Sequence, residues 1–97
     1  MDRREIESIV IEVLEAVQET SGEAYMEVGP DDRPIGVLDG FDSLTGLEAT
    51  AMVEKRIGCE IERASAFVSE DGRRALTLAE TCEYLEGIVG SGSQAVA

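Results

Sequence analysis

The sequence predicts an all-α domain with three main helices and a short helix between the last two. Three observations carry that expectation. Apolar residues recur at helical spacing in three separate segments. Each of those segments opens on a residue type that caps helices. Clusters of glycine, proline and aspartate lie between them. A chain of 97 residues is the size of one domain and buries roughly 60–65% of its unfolded surface, enough for one modest core. There are no internal repeats.

The first helix is expected from about Arg3 to Glu19. Asp2 and Glu5 stand three residues apart, as in a capping box. Ile6, Val10, Val13, Leu14 and Val17 share one face, with Glu7, Glu12, Glu15 and Glu19 away from its centre. Gly22 can stop the helix. Residues 20–42 then form a long connection in which Gly29-Pro30-Asp31-Asp32-Arg33-Pro34 is dense in turn formers. Tyr25, Met26, Val28, Ile35, Val37 and Leu38 are too apolar for a free linker, so the loop is expected to be ordered, with several of them folded back over the helices.

The second main helix should start at Ser43 or Leu44 and end near Gly58, with Asp42 as N-cap. It carries two stripes: Leu44, Leu47 and Ala51 on one side, Gly46, Ala49, Thr50, Val53 and Ile57 on the other. One buried face needs only one stripe. The spare one is a second packing surface or a docking surface. Ile61 and Ala64-Ser65-Ala66-Phe67-Val68 suggest the short helix, and Glu70-Asp71-Gly72-Arg73-Arg74 reads as a turn. Thr77, with Glu80 at the reciprocal position, caps the last helix, whose stripe is Leu78, Cys82, Leu85 and Val89. Residues 1–89 make up the expected domain, and residues 90–97, from Gly90-Ser91-Gly92-Ser93 onward, a flexible tail.

Charge and composition narrow the function. Eight basic residues against 21 acidic ones leave a net charge of −13. Such a surface repels nucleic acid and anionic lipid and attracts proteins with basic patches, unless it serves solubility alone. With no histidine, neither a Ser-His-Asp nor a Cys-His arrangement can be built. No apolar pocket is expected to drive the pKa values of a carboxylate pair apart. Cys59 and Cys82 are too few for a disulfide framework and fit no zinc spacing, so both are expected to act as small apolar residues. Asp31, Asp32, Asp39 and Asp42 bring calcium to mind, but Phe41 occupies the second ligand position after Asp39, so no metal site is assigned. Weak divalent binding by the loop stays open. Neither a membrane span nor a signal peptide is expected, which makes a cytoplasmic location the default.

Ser43 lies at a helix N-terminus, where unpaired backbone N–H groups and the helix dipole favour a phosphate. By itself Asp42-Ser43-Leu44 is also an ordinary helix start. In a small, acidic, helical chain it resembles the prosthetic-group site of acyl and peptidyl carrier proteins. The resemblance covers about residues 3–89 and is sharpest from Gly40 to Ile61, where Asp42-Ser43-Leu44, Leu47-Glu48, Glu54 and Ile57-Gly58-Cys59-Glu60-Ile61 follow the family's site, recognition helix and helix exit. Leu76-Thr77-Leu78 and Cys82-Glu83-Tyr84-Leu85 resemble its last helix.

The resemblance implies a right-handed helical bundle with the short helix within residues 62–74. It implies that a phosphopantetheinyl transferase moves 4′-phosphopantetheine from coenzyme A onto the Ser43 hydroxyl, with a divalent ion as its helper and Asp42 engaging that enzyme. The arm's thiol, rather than either cysteine here, then holds cargo as a thioester. Leu44, Leu47, Glu48, Ala51 and Glu54 are implied to face partners: loading, condensing and transferring enzymes with basic docking patches. The carrier itself would catalyse nothing and would act as a monomer. Thr45, Ala51, Lys55, Arg56 and the long 62–75 segment depart from the fatty-acid carriers and point to a specialised free-standing member, in fatty-acid, polyketide or related synthesis. An aminoacyl or peptidyl carrier, an acidic helical adaptor that is never modified, and a divalent-ion buffer are the rival readings.

Overall fold

The computed structural model describes residues 1–90, and the chain is mostly helical over that span. Four helices form among the described residues: α1 (Arg3–Ser21), α2 (Pro34–Val37), α3 (Ser43–Ile57) and α4 (Leu78–Gly90). No strand forms among the described residues, which hold two isolated β-bridges, Ile35 with Leu38 and Val68 with Ala75. α1 lies against both α3 and α4. The core is the shared interior of these three, with residues from both long connections added.

Local sequence sets the ends of α1. The Asp2 carboxylate accepts from the Glu5 N–H at 2.9 Å, and the Glu5 carboxylate accepts from the Asp2 N–H at 3.0 Å, which completes the capping box. At the far end Gly22 takes the left-handed conformation, and the Glu23 N–H donates to Gln18 O at 2.9 Å, a Schellman closure. Ile6, Val10, Val13, Leu14 and Val17 are all buried, as their spacing requires.

The first long connection is ordered, as its apolar content predicts. Val28, Leu38 and Phe41 are buried, Tyr25, Ile35 and Val37 are half-buried, and Met26 points outward. Buried Gln18 ties the loop to α1: its amide nitrogen donates to Ala24 O at 3.2 Å and Asp39 O at 2.8 Å. The same loop completes the start of α4. Asp32 O accepts from the Leu78 N–H at 2.9 Å and Pro30 O from the Ala79 N–H at 3.0 Å, satisfying two of the four amide groups that a helix start leaves free. Thr77 and Glu80 exchange the two capping-box bonds there, as predicted.

The short helix expected within residues 62–74 does not form. Its place is taken by a turn-rich excursion, and the extra short helix is α2, inside the first connection. α2 is itself turn-like, with Ile35 and Gly36 outside helical torsions. The reason for the missing helix is a competing set of hydrogen bonds. The Thr50 hydroxyl accepts from the Ala66 N–H at 2.9 Å, and the Thr81 hydroxyl donates to Ala66 O at 3.0 Å. Ser65 Oγ accepts from the Phe67 N–H at 3.1 Å. Side chains from α3 and α4 thus occupy backbone groups that a helix would pair internally. Beyond Phe67 the chain turns back on itself, with Ser69 N–H to Arg74 O at 2.8 Å and Leu76 N–H to Phe67 O at 2.9 Å.

Gly90 ends α4. The rest of the tail expected over residues 90–97 lies outside the described residues.

Candidate functional site

The start of α3 is built by Asp42, Thr45 and Phe41. Asp42 has extended torsions, and its Oδ1 accepts from the Thr45 N–H at 3.0 Å, as an N-cap should. The Thr45 hydroxyl lies 3.0 Å from the same oxygen and 3.3 Å from Gly40 O. These bonds, the Thr45 amide first and its hydroxyl second, hold the Asp42 carboxyl below the usual carboxylate range. One residue before the cap, Phe41 is buried with its ring edge-on to Phe67, centroids 5.5 Å apart and planes at 80°. The helix start is therefore pinned from below while its upper face stays open.

Ser43 occupies that open position. It is the first residue of α3, it is exposed, and its hydroxyl has no hydrogen-bond partner among the described residues. An anionic group carried on that hydroxyl would sit at the positive end of a 15-residue helix, whose Thr45 N–H is already taken by Asp42. Asp42 stands exposed beside it with its carboxylate turned to the cap.

The two stripes of α3 separate cleanly. Gly46, Ala49, Thr50, Val53 and Ile57 are buried, which puts Val53 and Ile57 in the core. Leu44 is 73% exposed and Leu47 42%, with Glu48 and Ala51 exposed beside them. Leu44 and Leu47, one helical turn apart, thus form a small open apolar pair at the head of α3. Glu54 belongs to a different environment. It is half-buried, and its Oε2 accepts from the Ile61 N–H at 2.8 Å, so it braces the exit of α3.

A groove of about 310 Å³ runs from Ser43, Leu44 and Leu47 across to the excursion that replaces the expected helix, with Arg63, Ser65 and Val68 among its walls. α3 comes close to that excursion at Gly46, where an added Cβ would lie 3.2 Å from Ser65 Oγ. Sequence reasoning assigned none of residues 63–69 to the site. Their periodicity is weak, and what places them is bonding to Thr50 and Thr81, far along the chain.

Elsewhere the chemistry is sparse. Cys59 and Cys82 are both free and buried, and burial pushes the Cys82 thiol up to about 11. Among the described residues no three aspartate, glutamate or cysteine side chains gather as a metal-holding group. No helix among them is long and apolar enough to cross a membrane. No protein-family model matches the chain, and neither a curated protein nor a solved structure does.

Proposed function

We propose that this chain is a free-standing acyl carrier protein, with the right-handed bundle of that family, that shuttles thioester-linked intermediates on a 4′-phosphopantetheine arm attached at Ser43. The observation that carries the reading is the Ser43 hydroxyl itself. It is exposed and unpartnered at the first turn of α3, flanked by Asp42 and by the open Leu44 and Leu47. A modifying enzyme needs an accessible hydroxyl, and the helix end supplies a setting that favours the phosphodiester once made.

In this reading the chemistry is one transfer. The Ser43 oxygen attacks the β-phosphorus of coenzyme A, the bond to the nucleotide phosphate breaks, and 3′,5′-adenosine bisphosphate leaves with the proton passing to solvent or to the transferase. The arm's thiol then takes cargo from a loading enzyme. The chain performs no catalysis of its own. It raises the concentration of cargo at whichever enzyme is docked. Leu44, Leu47, Glu48 and Ala51 form the surface offered to those enzymes, an apolar pair with an acidic neighbour that suits an apolar recess ringed by basic residues. Glu54 contributes mainly by holding Ile61.

The test is intact-mass measurement after incubation with coenzyme A, magnesium and broad-specificity phosphopantetheinyl transferases. Wild type should gain the mass of one arm, and Ser43→Ala should fold normally and gain nothing. An equal gain in the variant would move the site elsewhere on the chain. No gain by the wild type with several transferases would sink the carrier reading and leave the unmodified acidic adaptor.

A further inference from the structure

The groove beside Ser43 holds one feature that neither the arm chemistry nor the docking surface uses. Arg63 lines it, half-buried, in a chain where acids outnumber bases 21 to eight. Its guanidinium carbon stands 3.9 Å from the centroid of the Tyr84 ring on α4. That stacking holds the side chain in place without using its N–H groups. Among the described residues those N–H groups meet no acceptor.

The other polar side chains of the groove are mostly spoken for. Ser65 Oγ accepts from the Phe67 N–H. The Ser69 hydroxyl donates to Asp71 at 2.6 Å, and Asp71 also accepts from the Arg73 N–H at 3.0 Å. Asp71 and Gly72 lie in the turn of the excursion beside Glu70, a carboxylate without a hydrogen-bond partner among the described residues, while Ser43 and Arg63 are the groove's hydroxyl and its cation in the same condition.

We propose that Arg63 is an oxyanion contact for the group esterified to Ser43. The inference rests on the carrier reading above. A free anion would be repelled by the net charge of −13. An anion tethered to Ser43 cannot diffuse away, so it samples the groove at high effective concentration. A stacked guanidinium offers it a planar pair of donors with little side-chain freedom left to lose. Two oxyanions can come from the same tether: the phosphodiester of the arm, and a carboxylate at the far end of the cargo.

The experiment uses full-length, isotope-labelled protein in three forms. One carries the arm alone, one the arm with a neutral acyl chain, and one the arm with a chain of equal length ending in a carboxylate. The readouts are the Arg63 Nε–Hε resonance and the amide resonances of Ala64 and Ser65. A shift present in all three forms identifies the phosphodiester as the anion. A shift confined to the third identifies the cargo carboxylate and assigns the cargo class. In either case Arg63→Gln should lose the Ala64 and Ser65 shifts while its remaining spectrum stays that of the folded wild type, and Arg63→Lys should keep part of them. Resonances unmoved in every form, or amide shifts undiminished in Arg63→Gln, would overturn this inference and leave the carrier reading standing. Failure of the wild type to take up the arm at all would overturn both.

Discussion

Replacing Thr50 by valine tests the bond that redirects residues 62–68 away from a helix. Thr50 is 4% exposed, and its hydroxyl donates to Gly46 O at 2.7 Å while accepting from the Ala66 N–H at 2.9 Å. Valine has nearly the same shape, so it leaves little void. The Gly46 carbonyl keeps its place in the α3 ladder. Ala66 is 0% exposed, so its N–H is left buried with no acceptor and no water. Stranding a buried amide costs about 1–3 kcal/mol. For a domain of this size that corresponds to a fall in melting temperature of about 5–20 °C. Thr50→Ser keeps the hydroxyl and loses one methyl, at roughly 1 kcal/mol. Thermal and denaturant melts of the two variants compare them directly, and hydrogen exchange at Ala66 reports the local bond. The reasoning fails if Thr50→Val is as stable as wild type, or if Ala66 exchanges no faster in it.

Leu47→Ala should cost no more than about 1 kcal/mol, because the side chain is 42% exposed, whereas Val53→Ala, at 0% exposure, should cost roughly 2 kcal/mol from lost transfer energy and the cavity left behind. Leu47→Ala should nonetheless slow transfer to a partner enzyme; a large loss of stability with transfer unchanged would reverse the roles of the two stripes. Melting temperature should rise with sodium chloride, since three exposed ion pairs among the described residues (Arg3 with Glu86, Arg56 with Glu12, Arg74 with Glu80) leave most of the 21 acids to repel one another, and salt screens charges beyond roughly 10 Å at 0.1 M. A flat or falling series would show that local partners already balance them. Acid should work against the fold. The carboxyls of Asp42, Asp71 and Glu80 lie below their ordinary values of 3.8, 3.8 and 4.5 in the folded state, held down chiefly by the Thr45 amide, the Ser69 hydroxyl and the Thr77 amide. Their contribution is complete above those ordinary values and is lost as pH falls through the lower folded ones. Melts below about pH 4 should therefore show a decline, and a melting temperature that keeps rising to about pH 3 would mean that relief of repulsion outweighs the lost caps.

What could be read from the chain was what depends on near neighbours. The capping boxes at Asp2 and Thr77, the Asp42 cap and the glycine that ends α1 are relations over three to five residues, set by local sterics and by amide groups that a helix end must satisfy. The stripe of α1 follows from its period alone. The Ser43 hydroxyl at a helix start was legible for the same reason. Arg63 was not. Nothing local marks an arginine in a turn-rich stretch as one wall of a groove, because its neighbours there, Ser43 and Tyr84, are about 20 residues away on either side.

Sequence by itself determined an acidic, helical chain, where its main helices begin, and a serine at the head of one of them. Only the tertiary structure decided the path of residues 62–77. Local propensity there is weak, so the outcome fell to Thr50 and Thr81, whose hydroxyls satisfy the backbone of Ala66 from two different helices. The same packing left Leu44 and Leu47 uncovered, because α1 and the excursion bury the opposite stripe of α3 and a helix has only so much circumference to share. It also made Glu54, one acid among many in the sequence, a brace for Ile61. Each of these rests on contacts between segments far apart in the chain, which no window of neighbouring residues contains.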